Sequence, residues 1–504
     1  MKKIKYLLSV VFLFAAIQTG HAQVSHNEWR FAGWMGGGAY PAIVPDPNVE
    51  GRLYLSSDVA GIWRSDNRGE NWYFINAGLS NLNIPLLAVA PSDSNVLYAG
   101  SVTGLMRSDN AGRSWRLLDV TAGKITFNKE QNNHAIWVDE VDPKKVYVGT
   151  KTGQIFFTRN GGFEWQSMGR DFYPFGQNIP ITSLQLNQDG TKLFVSSSIG
   201  LKRFDVSEGS WENIFKTPVK VQDMKLVQNT QTLYIVAENK IGISNDYGAT
   251  WTYSNTIPKG EITHIDVNRS VDGQIKISAA WRNGWEGGVL LSEDNGSSWQ
   301  NVEHNLHHDE VGNPSRTWMK GFSRPNDLVW DPFNPDILYF TDTWGVWRSN
   351  DNGQSWYEKI NGAPNASGSD IKISKDGIIY VATMDQGILK SSDGGLFYEA
   401  FVPNAKLFNG IAGHFWRIIL DDESQNILTT VSPWSKDRSE VMICQYKEVS
   451  CRIITAGLPP QYPQENTMWT KGYPRALAID PKNRERIYLG IDGDDGGGLF
   501  KSED

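Results

Sequence analysis

Apolar residues along the chain fall in short runs of roughly four to eight residues, separated by turns rich in glycine, aspartate and asparagine. The runs repeat in one order: a strand such as 41–47, which ends in Asp-Pro, then one such as 52–56, then one such as 61–65. Runs of this length between such turn residues predict antiparallel β-strands. Stretches with the helical period are scarce, so the sequence predicts an all-β fold.

An eight-residue motif follows the third strand of most units, and a fourth strand follows the motif. The clear copies are SDNRGENW (65–72), SDNAGRSW (108–115), TRNGGFEW (158–165), SNDYGATW (244–251), SEDNGSSW (292–299) and SNDNGQSW (349–356). Degenerate copies are FDVSEGSW (204–211) and SSDGGLFY (391–398). In this tight turn Ser and Asp side chains accept backbone N–H bonds, glycine takes the positive φ, and tryptophan packs between sheets. The motif is the Asp-box, or bacterial neuraminidase repeat.

The repeats predict a β-propeller. Each unit holds four short strands and recurs at a period of roughly 50 residues, which is typical of a propeller blade. Ten units can be counted, and the ninth, residues 410–455, lacks a recognisable box. The sequence therefore predicts about ten four-stranded blades, as one large ring or as two propellers. Residues 23–317 (units one to six) then form the first propeller or half, and residues 318–504 (units seven to ten) form the second.

The last unit stops at Asp504, before the glycine and tryptophan of its box. Two interpretations stay open. The N-terminal stretch 25–34 resembles a strand that follows a box, so it is expected to complete the last blade. Alternatively, the sequence is a piece of a longer chain, and its last blade is incomplete.

The first 22 residues have the pattern of a secretory signal peptide. Three early lysines precede an apolar run at 6–17, and small residues follow at a suitable cleavage spacing. The run is short for a membrane span, and no later stretch approaches that length. We therefore expect a secreted protein (periplasmic, cell-surface or extracellular) that begins near Gln23 and has no membrane span.

Charge and cysteine content narrow the possible partners. The net charge of -8 gives no electrostatic footprint for nucleic acid. Cys444 and Cys451 are the two cysteines. They either pair in an oxidising compartment or remain buried free thiols, and they cannot form a zinc site by themselves. We expect a monomer with no metal or other cofactor.

The first candidate catalytic residue is Asp58, in the turn between the second and third strands of unit one. This turn lies on the face opposite to the Asp-boxes, where loops usually carry function. Three residues before the glycine of the third strand, units two to five carry Ser101, Thr150, Ser197 and Ala237, whereas units seven and ten carry Asp342 and Asp495. A purely structural role is the competing interpretation, because aspartate suits any turn.

The second candidate is Asp327, on the predicted inner strand of unit seven. Four aligned strands carry apolar residues at this position: Ala42, Leu86, Val138 and Ala476. A carboxylate there is costly unless it is satisfied by a partner or used in chemistry. The competing interpretation is an ion pair with Arg324 or Lys320.

Aromatic residues in the loops of the predicted binding face are candidates for sugar contacts. Two long connections share a pattern, 318–324 and 469–475, and loops of this size usually carry function. Flat apolar rings beside carboxylates and amides suit pyranose rings, although packing between blades explains part of the set. The candidate substrate-binding residues are Trp318, Trp344, Arg324, Trp285, Trp416, Trp469 and Arg475.

Two segments resemble glycoside hydrolase family 74, the xyloglucanases and related endoglucanases. The opening 36–66 is similar to the start of those chains, which carry Tyr-Ala-Arg-Thr-Asp-Ile/Val-Gly-Gly where this chain has 54–61. The aspartate of that motif is the family's catalytic base and corresponds to Asp58. Ser56 and Ala60 replace the family's arginine and second glycine.

The second similar segment is unit seven, from Trp318 through 327–340, which resembles the opening of the family's second propeller. The resemblance implies that Asp327 is the catalytic acid, with Asp342 in reserve. It also implies an inverting endo-hydrolase of a plant or algal polysaccharide such as xyloglucan or another β-glucan. Inverting enzymes hold the two carboxyls about 6.5–9.5 Å apart, whereas retaining enzymes hold them about 5–5.5 Å apart.

Two other classes of function stay open. A polysaccharide lyase needs a base and a cation. Candidates for these parts are His414 with Trp416 and Arg417, or His307, His308, Arg324 and Arg475. A non-catalytic glycan- or protein-binding propeller would use the aspartates as turn residues and the aromatic residues for packing. An exo-sialidase is disfavoured because the chain has no Arg-Ile-Pro motif.

Overall fold

The described part of the chain folds into forty β-strands and contains no helix. The computed structural model describes residues 36–118, 127, 133–168, 179–215, 218–255, 260–269, 273–302, 305–307, 321–384, 386–402, 413–433, 440–446, 451–454, 456, 458, 473–492 and 497–503. These residues belong to one compact unit, Gly33–Asp504. The predicted signal peptide, the stretch 25–34, Trp318 and Trp469 lie outside them.

The strands form ten sheets, each of which corresponds to one predicted unit. Sheets one to four comprise β1 (Ile43–Pro45), β2 (Leu53–Ser56), β3 (Ile62–Ser65), β4 (Tyr73–Phe74); β5 (Leu86–Ala90), β6 (Asp93–Ser101), β7 (Gly104–Ser108), β8 (Arg116–Leu117); β9 (Ile136–Val138), β10 (Val146–Gly149), β11 (Ile155–Thr158), β12 (Gln166–Ser167); and β13 (Ile181–Leu186), β14 (Lys192–Ser197), β15 (Gly200–Asp205), β16 (Ser210–Asn213). Sheets five to seven comprise β17 (Val221–Leu226), β18 (Leu233–Ala237), β19 (Lys240–Ser244), β20 (Thr252–Tyr253); β21 (Glu261–Arg269), β22 (Ile275–Asn283), β23 (Glu286–Ser292), β24 (Gln300–Asn301); and β25 (Leu306–His307), β26 (Pro325–Trp330), β27 (Leu338–Asp342), β28 (Val346–Ser349), β29 (Trp356–Glu358). Sheets eight to ten comprise β30 (Gly368–Ile373), β31 (Ile379–Thr383), β32 (Ile388–Ser391), β33 (Glu399–Val402); β34 (Gly413–Asp421), β35 (Asn426–Pro433), β36 (Glu440–Gln445), β37 (Cys451–Ile453); and β38 (Tyr473–Ile479), β39 (Ile487–Asp492), β40 (Gly498–Ser502).

The Asp-boxes have the predicted geometry. In the first box, Ser65 Oγ accepts the N–H of Gly69 at 2.9 Å, and Asn67 Oδ1 accepts the N–H of Asn71 at 3.0 Å. Gly69 has a φ of 83°, and Trp72 is 5 % exposed. These contacts fix the turn between β3 and β4 and leave the indole ring to pack against a neighbouring sheet.

Seven sheets form a closed ring. Inner strands contact one another in the order β1, β5, β9, β13, β17, β21 and β26, and β26 also contacts β1. At this closing contact Leu55 and Trp72 of sheet one share a buried cluster with Tyr339 and Val346 of sheet seven. The sequence-based division at residue 318 assigns sheet seven to the second half of the chain, whereas these contacts place it in the ring.

The closing contact repeats the contacts between consecutive sheets. Trp115 of sheet two donates its indole N–H to the carbonyl of Ile75, just after the last strand of sheet one, at 2.7 Å. Trp72 of sheet one donates in the same way to Lys359, just after the last strand of sheet seven, at 2.8 Å. Sheet one therefore packs against sheet seven as sheet two packs against sheet one.

Sheets eight, nine and ten form a second group, which we call the arc. Its inner strands pack in the order β30, β34 and β38. Cys444 and Cys451, on the neighbouring strands β36 and β37, form a disulfide. Within the residues that the structure describes, no helix is long and apolar enough to span a membrane.

Candidate active site

The ring has a cavity of about 720 Å³ on the face opposite to the Asp-boxes. Its lining comes from turns between second and third strands and from the beginnings of inner strands, in sheets one, three, four, five, six and seven. Three of the predicted site residues, Asp58, Trp285 and Arg324, line this cavity. The structure therefore brings one candidate carboxylate, one aromatic ring and one cation to the same opening.

Asp58 is half-buried at the edge of the cavity. Its Oδ1 accepts the backbone N–H of Ala39 at 3.1 Å and the side-chain amide of Asn365 at 3.4 Å. Ala39 belongs to the glycine-rich segment that precedes β1, and Asn365 lies between sheets seven and eight. The carboxylate is thus held in one orientation at the junction between the ring and the arc.

Hydrogen bonds in the turn of sheet one show that Ser57 caps it. Ser57 Oγ accepts the N–H groups two and three residues further on, and Ser101 Oγ accepts the N–H group two residues further on in its own turn. In sheet seven the fully buried Asp342 has this role, because its Oδ1 accepts two turn N–H groups at 2.8 Å. The alignment of Asp58 with Ser101 and Asp342 is therefore wrong by one residue, since the turn of sheet one is one residue longer. Asp58 is the additional residue, and the cap does not require it.

Asp327 lies outside the cavity lining and is 1 % exposed. Its Oδ2 accepts the N–H of Ile43 in sheet one at 3.0 Å, and its Oδ1 accepts the N–H of Leu328 at 2.8 Å. Asp223 and Asp370, which also follow a β-bulge in their inner strands, bind the next sheet and their own next residue in the same way. The sequence comparison with apolar positions missed these two equivalents. The contacts give Asp327 a structural role as a clasp between sheets.

His134 lies between the carboxylates of two of these clasps, Asp223 and Asp327. His134 Nδ1 lies 2.8 Å from Asp223 Oδ1, and its Nε2 lies 3.7 Å from Asp327 Oδ1. Burial alone would lower the pKa of His134, but the Asp223 carboxylate outweighs burial and, with Asp327, raises it to about 9. Burial raises the pKa of Asp327 to about 6, against the opposing attraction of His134. An imidazolium between two carboxylates thus offsets their burial.

The predicted aromatic residues occupy different surroundings. Trp285 is 66 % exposed at the cavity, whereas Trp344 is 5 % exposed and packs in the interior. Trp416 and Arg475 lie together in the arc, where the guanidinium carbon lies 4.9 Å from the centroid of the indole ring. His414 stacks on the same indole ring of Trp416, and the two ring centroids lie 3.7 Å apart. Only Trp285 among these side chains offers a sugar-sized apolar face to the cavity.

Three charged side chains in the cavity wall form an ion triad that was not predicted from the sequence. Glu261 accepts hydrogen bonds from Lys220 and from Arg282, both at 2.7 Å. Although burial would raise the pKa of the Glu261 carboxyl, these two cations lower it to about 2. Glu261 is therefore ionised at neutral pH and has no proton to donate. The available signal was the pairing of opposite charges across β21 and β22, where Glu261 faces Arg282.

The glycine-rich segment passes between the turn of Asp58 and a turn of sheet eight. Gly37 has a φ of 78°, and a β-carbon on it would lie 2.8 Å from the β-carbon of Ala366 and 3.1 Å from the amide nitrogen of Gln386, so only glycine allows this approach. The turn from Thr383 to Gly387 closes with an N–H to carbonyl bond over the same span as the turn of sheet one. In the sequence this turn contains Asp385, which lies outside the described residues. An aspartate in a second turn of this longer type is a repeat signal that the sequence analysis missed.

A protein-family profile described as photosynthesis system II assembly factor YCF48 matches residues 52–315. This match covers just over half of the chain and includes the Asp-boxes of the first six units. The chain belongs to the YCF48 family. This match and the ten sheets of the structure together confirm the predicted Asp-box propeller.

The YCF48-family chain is also similar to enzymes of glycoside hydrolase family 74. It is 22 % identical over 289 residues to a xyloglucanase of Hypocrea jecorina (strain QM6a), a match that covers 44 % of this chain and 33 % of that protein. This chain thus matches about a third of the length of that relative. The resemblance predicted from 36–66 and from unit seven is confirmed at the level of the family.

Solved structures of family 74 enzymes have the same fold. The crystal structure of an ancestral family 74 enzyme superposes with a TM-score of 0.72 at 17 % identity, over 94 % of this chain and 68 % of that one. The enzyme from Niastella koreensis gives 0.64 at 15 % identity, over 94 % and 85 % of the two chains. The xyloglucanase from Xanthomonas campestris gives 0.62 at 15 % identity, over 95 % and 87 %. At these identities the likeness establishes the fold, and function has to be argued from the site.

Proposed function

We propose that this YCF48-family chain is a glycoside hydrolase that cleaves a polysaccharide within its backbone, with Asp58 as a catalytic carboxylate. The observation that carries the proposal is the position of Asp58, which lies beyond the cap of its turn and lines an open cavity. Its orientation is fixed by Ala39 and Asn365. A carboxylate held in a fixed orientation at the edge of a cavity suits a general base that activates water for attack on a glycosidic carbon.

The second carboxylate is assigned to Asp385 in place of Asp327. Asp327 is 1 % exposed, and both of its oxygens accept backbone N–H groups. A substrate therefore cannot reach this carboxylate in the conformation that the structure shows. Asp342 is fully buried as a turn cap. Gln386, next to Asp385 in the sequence, lies against the same glycine-rich segment whose Ala39 binds Asp58. In this assignment Asp385 protonates the leaving oxygen, and inversion requires the two carboxyls to be about 6.5–9.5 Å apart.

The class of substrate follows from the shape and lining of the cavity and from the named relatives. The cavity is wide and open, and the exposed ring of Trp285 offers a flat surface to a pyranose ring. The relatives include xyloglucanases, which supports a plant or algal polysaccharide as the substrate. Secretion, which the first 22 residues predict, would bring the protein to such a polymer.

A panel of soluble polysaccharides tests this proposal. Hydrolysis within the backbone raises the number of reducing ends and lowers the viscosity early, without ultraviolet absorbance from unsaturated sugars. The proposal is abandoned if no polymer yields reducing ends, or if unsaturated products accompany each cut.

A polysaccharide lyase is the second candidate, and one observation favours it. His414 and Arg475 both lie against the indole ring of Trp416, so an imidazole and a cation are close together. Elimination beside a uronate needs a base and a nearby cation, although burial, which lowers the pKa of His414 to about 4, makes this imidazole a weak base. Ultraviolet absorbance of the products in the same panel would favour this function. Binding of a glycan without any cleavage would favour the non-catalytic propeller.

A further inference from the structure

Positive charge exceeds negative charge in the described lining of the ring cavity. The cations are Lys220, Arg282 and Arg324, and the carboxylates are Asp58 and Glu261. Glu261 binds both Lys220 and Arg282, so this triad keeps one net positive charge. His264, also in the lining, has its pKa lowered to about 4 by burial and adds no charge at neutral pH. Arg324 and the triad therefore outweigh Asp58.

Arg324 differs from most arginines of the ring because its guanidinium has no carboxylate partner among the described residues. Arg348 of the same sheet, by comparison, pairs with Glu70 at 2.8 Å. Arg324 is exposed at the cavity wall beside Thr343 and Asn326. A guanidinium presents a planar set of donors that matches a carboxylate or a sulfate with two parallel hydrogen bonds. An arginine that has no carboxylate partner within the described part of a concave polar site indicates an anionic ligand.

The remaining lining suits the rest of a sugar unit. Trp285 offers an exposed ring in the same cavity. Stacking on this ring binds a pyranose irrespective of its charge. The arginine adds selection for a unit that carries an anionic group.

We propose that the ring cavity binds an anionic sugar unit through Arg324, so that the substrate is an acidic polysaccharide bearing carboxylate or sulfate groups. This inference rests on the proposed function, because it takes the cavity beside Asp58 as the substrate site. The net positive charge of the Lys220–Glu261–Arg282 triad assists by attracting the polymer, and this attraction weakens as salt is added.

Calorimetric titration of the full chain carrying Asp58→Asn, which keeps the ligand intact, tests the inference. The probes are oligogalacturonides, sulfated carrageenan oligosaccharides and neutral cello-oligosaccharides of equal length. We expect at least one acidic probe to bind roughly tenfold or more tightly than the neutral probe, with a preference that shrinks at high salt. The carboxylate-bearing and sulfated probes separate the two sources of charge.

Adding Arg324→Gln should reduce this preference to near unity, and Arg324→Lys should retain part of it. Arg113→Gln is the matched control, since it removes the same charge from an exposed position in the Asp-box of sheet two. Equal binding of acidic and neutral probes, or a preference that survives Arg324→Gln, would overturn the inference while leaving hydrolysis by Asp58 unaffected. Conversely, an acidic preference in a protein that cleaves no polymer would sink the proposed function alone.

Discussion

The carboxylate of Asp327 accepts the backbone N–H of Ile43 at 3.0 Å, although 284 positions separate the two residues in the sequence. This bond joins the seventh sheet to the first and lies in the buried interior. Because Ile43 would otherwise leave a buried donor without an acceptor, the bond contributes to closing the ring.

Replacing Asp327 by alanine should destabilise the ring by about 2–4 kcal/mol. The loss combines an unsatisfied backbone donor with a His134 imidazolium that keeps only one carboxylate. Asp327→Asn keeps an acceptor oxygen for Ile43 and should cost less than the alanine variant. Denaturant unfolding followed by tryptophan fluorescence measures both, and an alanine variant as stable as the parent would contradict the clasp.

The stability of the ring should fall as the pH rises. The pKa of His134 is about 9 in the folded protein and ordinarily 6.5, so its contribution is complete below about pH 6.5 and disappears as the pH rises through 9. Burial raises the pKa of Asp327 from 3.8 to about 6, so its ionisation also costs stability as the pH rises, in the lower window between those values.

Between about pH 6.5 and 9 we expect a loss on the order of 1–3 kcal/mol in the free energy of unfolding. Denaturant unfolding curves recorded across this pH range provide the measurement. The His134→Gln variant should show a smaller change in the free energy of unfolding over the same range. A parent protein whose stability does not change from pH 6.5 to 9 would show that the imidazolium is not the source.

Closure of the ring at seven sheets can be tested with two equivalent tryptophans. Trp72→Phe removes the indole N–H that binds Lys359 across the closing contact, and Trp115→Phe removes the same bond between sheets one and two. Each substitution should cost about 1–2 kcal/mol, since each leaves a carbonyl without its donor. If Trp72→Phe is neutral while Trp115→Phe is destabilising, sheets one and seven are not closed in solution.

The disulfide in the arc should stabilise the protein modestly. Cys444 and Cys451 are seven positions apart, and a loop this short restricts the unfolded chain by only about 2 kcal/mol. Mass spectrometry after alkylation should find no free thiol until reductant is added, and reduction should lower the unfolding midpoint slightly. Alkylation of both cysteines without reductant would contradict the pairing.

The repeat pattern was sufficient to predict the fold. Strand order, Asp-box turns and the ten units follow from spacing and turn chemistry, since each box carries its own hydrogen bonds within eight residues. Closure of the ring depends on contacts between residues as distant as Ile43 and Asp327, and the repeat period alone contains no information about them.

The candidate site is harder to predict, because the role assigned to an aspartate changes when the alignment between units moves by one residue. The spacing in the sequence aligns Asp58 with turn caps, yet Ser57 is the cap, and the additional residue in the turn becomes evident only from the hydrogen bonds. The sequence aligns Asp327 with apolar positions of other strands, while its structural equivalents, Asp223 and Asp370, lie after β-bulges that shift the register. Pairs such as Glu261 and Arg282 become a signal only once the strand register is known.

The steady-state rate of Asp58→Asn on the polymer that the parent cleaves is the most direct test of the proposed chemistry. Asparagine keeps an oxygen for the N–H of Ala39, so the turn should remain intact, as circular dichroism and the unfolding midpoint can verify. Loss of a general base should lower kcat by about 10²–10⁴-fold, with KM little changed. A folded Asp58→Asn variant whose kcat stays within about threefold of the parent would show that Asp58 is not the base.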